Sequence, residues 1–340
     1  MITLERDRMT FRFPEVHPDA ECGIEFQRTL RIPDDDRDYP LPAGLGRFPL
    51  RHVDDFADRL PGKTLHRGGV VMPMHQAEAM WVNFDAAWGS SYPCAVKVAA
   101  GKVCAVSGEP WSEHLAADPQ NYLVVPNQPW LDGYCVEEGI IRQFVAMPLG
   151  EGYTAEEQLT GAAEHGGLQL SVCPMKREVY EKFFGDRFGV GEAIREVCYG
   201  PPVALSHEMG LAPGGRMRQE IYDDDYGVEA WDERHTSRCF VTIANSMQWL
   251  AITGERPPTD PPTARQYTDA GLPWFDYYDG DRKAISGSET LAGLKSVAAT
   301  GREKRESPLP EDDPLGVSQI VRLGPAGERA VREYPAGRES

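Results

Sequence analysis

The chain has 340 residues, of which 41% are hydrophobic and 26% charged. That is enough apolar matter for one large domain or two modest ones, and it excludes a globally disordered chain. With 53 acidic and 35 basic residues the formal net charge is -18, a surface that repels nucleic-acid phosphate and anionic lipid alike. No stretch approaches the roughly 18 apolar residues of a membrane span. Residues 1–13 lack the apolar run of a secretory leader, so the expected location is cytoplasmic.

In chain order, Ile24, Phe26, Leu30 and Ile32 alternate and predict a half-buried strand over residues 22–32. A loop rich in Asp, Pro and Gly follows. Val53, Phe56 and Leu60 then fall at helical spacing over residues 52–60. Short apolar runs at 70–72, 80–84, 94–99, 103–107, 122–125, 141–147 and 168–172 predict strands. The runs at 94–99 and 103–107 are joined by Ala-Gly-Lys, a hairpin signal with Gly101 free to take positive φ. A polar loop separates the last two of these strands, with Thr154 placed to cap a turn of helix at 155–159.

Further on, residues 176–184 predict a helix and residues 217–222 and 239–244 predict strands. Residues 247–252 read as a helical turn stopped by Gly254, and residues 263–270 as a short helix closed by Gly271. Beyond residue 280 the apolar runs give way to Gly, Ser, Glu, Arg and Pro, with one apolar island at Ile320 to Leu323.

Strands outnumber helices without βαβ alternation. The fold class is therefore α+β, mainly antiparallel β, sandwich-like or a distorted barrel, with a few short helices and an extended C-terminal tail. The expected organisation is one globular β-rich domain over 1–280, or two intimately packed subdomains, followed by a low-structure tail over 281–340.

The common signatures of nucleotide binding, phosphoryl transfer, nucleophile elbows and zinc proteases are missing. Seven cysteines (Cys22, Cys94, Cys104, Cys135, Cys173, Cys198 and Cys239) include no CxxC pair and read as buried reduced thiols. Cys135 is the least core-like of them, and no nearby His marks it as a nucleophile.

The polar segment 150–169 is the first candidate site. Glu156, Glu157, Glu164 and His165 are the residues suited to acid–base or ligand work, Arg142 could hold an anionic group, and Gln169 is a further candidate for ligand binding. His165, His75 (three residues before Glu78) and His207 (beside Glu208) are the candidate metal ligands. Trp274 and Tyr278, in an aromatic run with Asp276, are candidates for stacking on a ligand or partner.

Two runs flank and close the polar loop: Arg142-Gln143-Phe144-Val145-Ala146-Met147-Pro148-Leu149-Gly150 and Glu164-His165-Gly166-Gly167-Leu168-Gln169. With Gly271-Leu272-Pro273-Trp274-Phe275 and the hairpin Ala99-Ala100-Gly101-Lys102, they resemble a group of uncharacterised bacterial and fungal proteins over most of residues 45–280. The resemblance implies a shared fold and carries no activity or cofactor.

From sequence, the leading reading is a non-catalytic binding protein that presents an aromatic surface and a polar loop to a small molecule, glycan or protein partner. The second is an enzyme with a hydrolytic or metal-assisted site around residues 150–169, and the third a subunit of a larger assembly. The residue pattern names no cofactor and no oligomeric state.

Overall fold

The computed structural model describes residues 1–85, 92–185, 208–277, 282–309, 312, 314–317 and 320–323. Their architecture is mainly antiparallel sheet with short helices, and the sheet does not close into a barrel. Its backbone can be followed strand by strand. Arg8–Arg12 pairs with Glu21–Thr29, which pairs with Ala79–Asp85. That strand meets Ile140–Pro148, which pairs with Glu208–Arg218. From there the path runs through Ser237–Ala244 and Leu168–Pro174 to Cys94–Ala100. Two parallel pairings interrupt the pattern: Val70–Pro73 lies along Ser237–Ala244, and Asp38–Tyr39 along Glu208–Arg218. A separate three-stranded sheet joins Leu41–Pro42, Trp274–Tyr277 and Ile320–Leu323.

The strand at Glu21–Thr29 is buried on both faces, not one. Glu25 on the expected solvent face lies under Arg47 and Gln27, whose nitrogens reach its Oε2 at 2.6 and 3.2 Å. The apolar alternation places Ile24 and Phe26 correctly, and long polar side chains cover the other face. The hairpin at Gly101 forms with φ of 56°, pairing Ala99 with Cys104 and Ala100 with Val103. Residues 52–60 give only a 3-10 turn at Val53–Phe56, yet Val53, Phe56 and Leu60 all bury. They pack with Val71, Trp249 and Ile252 in a small cluster beside the main core.

Structure continues past residue 280. Helices Glu289–Ala292 and Val297–Lys304 form there. Leu291, Leu294 and Val297 are buried, which composition averaged over a polar stretch conceals. The second helix is tied down by Asp34, whose Oδ2 accepts the Ala298 N–H at 2.9 Å. All six described cysteines are free and buried. Burial pushes the Cys135 thiol up to about 12, so it holds its proton at neutral pH and is no ready nucleophile.

Gln143 shows how side chains complete the ladder. It is 0% exposed; its Oε1 accepts the Ile32 N–H at 2.8 Å and its Nε2 donates to Leu30 O at 2.9 Å. Gln143→Leu strands both backbone groups in the core. Urea unfolding should show a loss of about 2–6 kcal/mol, from about 1–3 kcal/mol for each of the two unsatisfied buried groups. A loss below about 1 kcal/mol would mean that these groups find other partners.

Candidate functional site

Two corners of the sheet hold ordered polar side chains suited to chemistry. The first is the 150–169 segment. Helix Ala155–Thr160 starts at Thr154, whose hydroxyl oxygen accepts the Glu157 N–H while the Glu157 carboxylate accepts the Thr154 N–H. Glu157 also takes the N–H groups of Gly150 and Gly152 at 2.9 and 2.8 Å, so its expected acid–base role is replaced by a structural one. Glu156 points inward. Its carboxylate accepts the His165 N–H at 3.2 Å, the Gly166 N–H at 2.8 Å and a bond from His165 Nδ1 at 2.9 Å. Glu156 and His165 are thus brought together, with Glu164 exposed at the rim, its Oε2 3.9 Å from Nδ1.

The remaining sequence candidates scatter. Gln169 is fully buried; it donates to Gly101 O and accepts from Arg238, so it is closed to a ligand. Arg142 is engaged by Asp34 at 3.5 Å and by Gly214 O at 3.1 Å. Trp274 is 1% exposed and packs on Tyr39 and Tyr267, so it belongs to the core and presents no stacking surface. Tyr278 and His207, like Cys198, lie outside the described residues. Among the described residues no three His, Cys, Asp or Glu side chains gather as metal ligands.

The second corner is built on His75. The segment His75 to Glu78 is a tight turn in which the Glu78 N–H donates to His75 O at 3.1 Å. Ala77 takes the left-handed conformation with φ of 64°, a strained choice for a residue with a Cβ. The turn is bolted down from both sides. The Met74 N–H donates to Ala244 O at 2.9 Å, and the Ala77 N–H donates to Ala146 O at 2.8 Å. Glu78 is buried, its side chain 1% exposed. One oxygen accepts from Arg28 Nε at 2.7 Å and the other accepts the His75 N–H at 2.8 Å. Burial pushes the Glu78 carboxyl up, against the pull of the Arg28 guanidinium.

Arg28 also reaches the strap after helix Ser246–Thr253, donating to Thr259 O at 2.5 Å. That places Pro258 O 3.0 Å from His75 Nε2. A carbonyl can only accept, so Nε2 carries the hydrogen and Nδ1 of the neutral ring is a lone pair. Ser246 Oγ lies 2.9 Å from that Nδ1 and donates its hydroxyl proton to it.

Ser246 opens the helix Ser246–Thr253. Asn245 caps it, its side chain accepting the Gln248 N–H and Gln248 answering onto the Asn245 N–H. Trp249 and Ile252 anchor the helix in the small apolar cluster. The Trp249 N–H donates to Asn245 O, while among the described residues the N–H groups of Ser246 and Met247 have no acceptor.

The sequence reading misses Ser246, because Asn-Ser-x-Gln looks like helix capping and nothing more. It does pair His75 with Glu78, but as metal ligands on one helical face. Glu78 instead binds the His75 backbone, and both ring nitrogens are spent on Ser246 and Pro258. No family model, no curated protein and no solved structure matches the chain.

At the first corner, burial is the largest cause lowering the His165 proton affinity, with Arg67 and Lys102 adding to it and Glu156 opposing. A folded-state value below the unfolded one means the unfolded chain binds the proton first. Stability from this group is therefore full above about pH 6.5 and is lost as pH falls below it. NMR titration should give His165 a midpoint under about 6.5; a midpoint above it would show that the Glu156 carboxylate outweighs burial.

Proposed function

We propose that the chain is a hydrolase acting on carboxylic esters, with Ser246 as nucleophile and His75 as general base. The observation that carries the reading is the hydroxyl of Ser246 2.9 Å from a His75 Nδ1 whose tautomer is set by Pro258 O on the other nitrogen. Nucleophile, base and an orienting group in hydrogen-bond sequence are what activation of a serine requires.

In the first step Ser246 Oγ bonds to the substrate carbonyl carbon and its proton passes to His75 Nδ1. The carbonyl oxygen becomes an oxyanion, and the free N–H groups of Ser246 and Met247 at the helix start are donors suited to hold it. Collapse breaks the ester C–O bond, and the imidazolium returns its proton to the leaving alkoxide. Water, deprotonated by the same ring, then releases the acid from Ser246. The orienting group is a carbonyl dipole, weaker than a buried carboxylate, with the exposed Asp260 3.9 Å from Nδ1 as the nearest acidic neighbour. Esters suit this arrangement better than amides because their leaving group needs less help.

The apolar side chains Met247, 78% exposed, and Leu250, 44% exposed, lie on the nucleophile's own helix and favour an apolar acyl portion. Buried thiols fit a cytoplasmic setting. Among the described residues no helix is long and apolar enough to cross a membrane.

Hydrolysis of p-nitrophenyl butyrate tests the reading. Ser246→Ala and His75→Gln should each lower kcat/KM by at least about 100-fold with unchanged far-UV circular dichroism. Equal rates in wild type and Ser246→Ala would refute it.

A further inference from the structure

The His165 corner carries a second, separate inference. In a chain with 53 acidic and 35 basic residues, cations gather there. Helix Gly62–Arg67 places Lys63 and Arg67 one turn apart, and both reach the 164–165 turn. Lys63 Nζ donates to Glu164 O, and Arg67 donates to His165 O and Glu164 O at 2.9 Å each. Carbonyl oxygens satisfy these donors without neutralising their charge. Arg67 is further fixed by stacking over Phe240, 5.8 Å from the ring centroid. Lys102, at the tip of the Gly101 hairpin, is close enough to act on the His165 ring. Among the described residues, none of these three cations has a carboxylate partner.

Three acidic groups lie around the same helix and turn: Glu208, whose Oε1 accepts the Thr64 hydroxyl at 2.7 Å, Glu156 and Glu164. Glu156 is buried and saturated by the N–H groups of His165 and Gly166 and by Nδ1. The Glu164 side chain is 67% exposed, its Oε2 3.9 Å from His165 Nδ1. With Nδ1–H donated to Glu156, Nε2 of the neutral His165 ring carries a lone pair, so the three cations and not the ring would hold an anion.

We propose that Lys63, Arg67 and Lys102, gathered around the His165 turn, form a binding site for a small phosphorylated ligand, a phosphate or diphosphate ester. Three positive charges held together without acidic partners repel one another, and a multiply charged anion relieves that repulsion where a single carboxylate would relieve less of it. Arg67 and Lys63 are already held by the backbone, so little side-chain freedom is lost when the ligand arrives. Glu156 fixes the ring and fills the space a Cβ on Gly101 would need, and the Gly101 N–H donates to Gly167 O at 3.0 Å, which ties the hairpin tip with Lys102 to this turn.

Isothermal titration of the full chain with inorganic pyrophosphate at low ionic strength is the test. One saturable site per chain is expected, weakened about tenfold in Lys102→Ala, the equivalent of about 1.4 kcal/mol for one lost ionic contact. Lys102 is exposed, so this variant should keep the wild-type melting temperature. Arg67→Gln should weaken binding further, and Ser246→Ala should bind as wild type does, which separates this site from the hydrolytic one. No saturable heat, or equal affinity in Lys102→Ala and wild type, would overturn the proposal.

Discussion

The buried ion pair between Arg28 and Glu78 is the constraint on which the His75 corner depends. Glu78 is buried, and among the described residues the Arg28 guanidinium and the His75 N–H are what compensate its charge. Such a pair contributes little net stability against an apolar replacement, yet losing one partner costs about 3–5 kcal/mol because a bare charge is left behind. Its value here is geometric. Arg28 belongs to the strand Glu21–Thr29, Glu78 to the turn before Ala79–Asp85, and Thr259 to the strap after the Ser246 helix. One guanidinium therefore sets three chain segments in register.

From that pair outward each contact fixes the next. Glu78 holds the His75 backbone, Arg28 holds the strap, the strap presents Pro258 O, and Pro258 O sets the ring tautomer that lets Ser246 donate to Nδ1. The left-handed Ala77 is the strained residue in this chain of contacts, retained because backbone bonds on both sides over-determine the turn. The His165 corner follows the same logic with a different anchor. There Glu156 is the buried carboxylate, and it spends its oxygens on the backbone of the loop it orders.

Local signals in the sequence translated well. Thr154 and Glu157 form the reciprocal cap, Gly254 ends its helix with φ of 73°, and Gly101 turns its hairpin, because each depends on residues within one turn of chain. What sequence could not show is decided by distant partners. Trp274 sits in a run that reads as an exposed aromatic face, but Tyr39 lies far upstream and closes over it. Ser246 and His75 are 171 residues apart and meet only because the parallel pairing of Val70–Pro73 with Ser237–Ala244 delivers both to one end of the sheet. Glu156 was legible as a candidate, and so was His165. Their contact was not, since nothing in spacing says that the carboxylate turns inward.

The central claim is that Ser246 is an activated nucleophile. Incubating the intact protein with an excess of a fluorophosphonate, then mapping peptides by mass spectrometry, tests it most directly. The account predicts one adduct per chain, on Ser246, formed at a rate that drops at least about 100-fold in His75→Gln. Absence of labelling at Ser246, or labelling that is equally fast without the His75 imidazole, would contradict it.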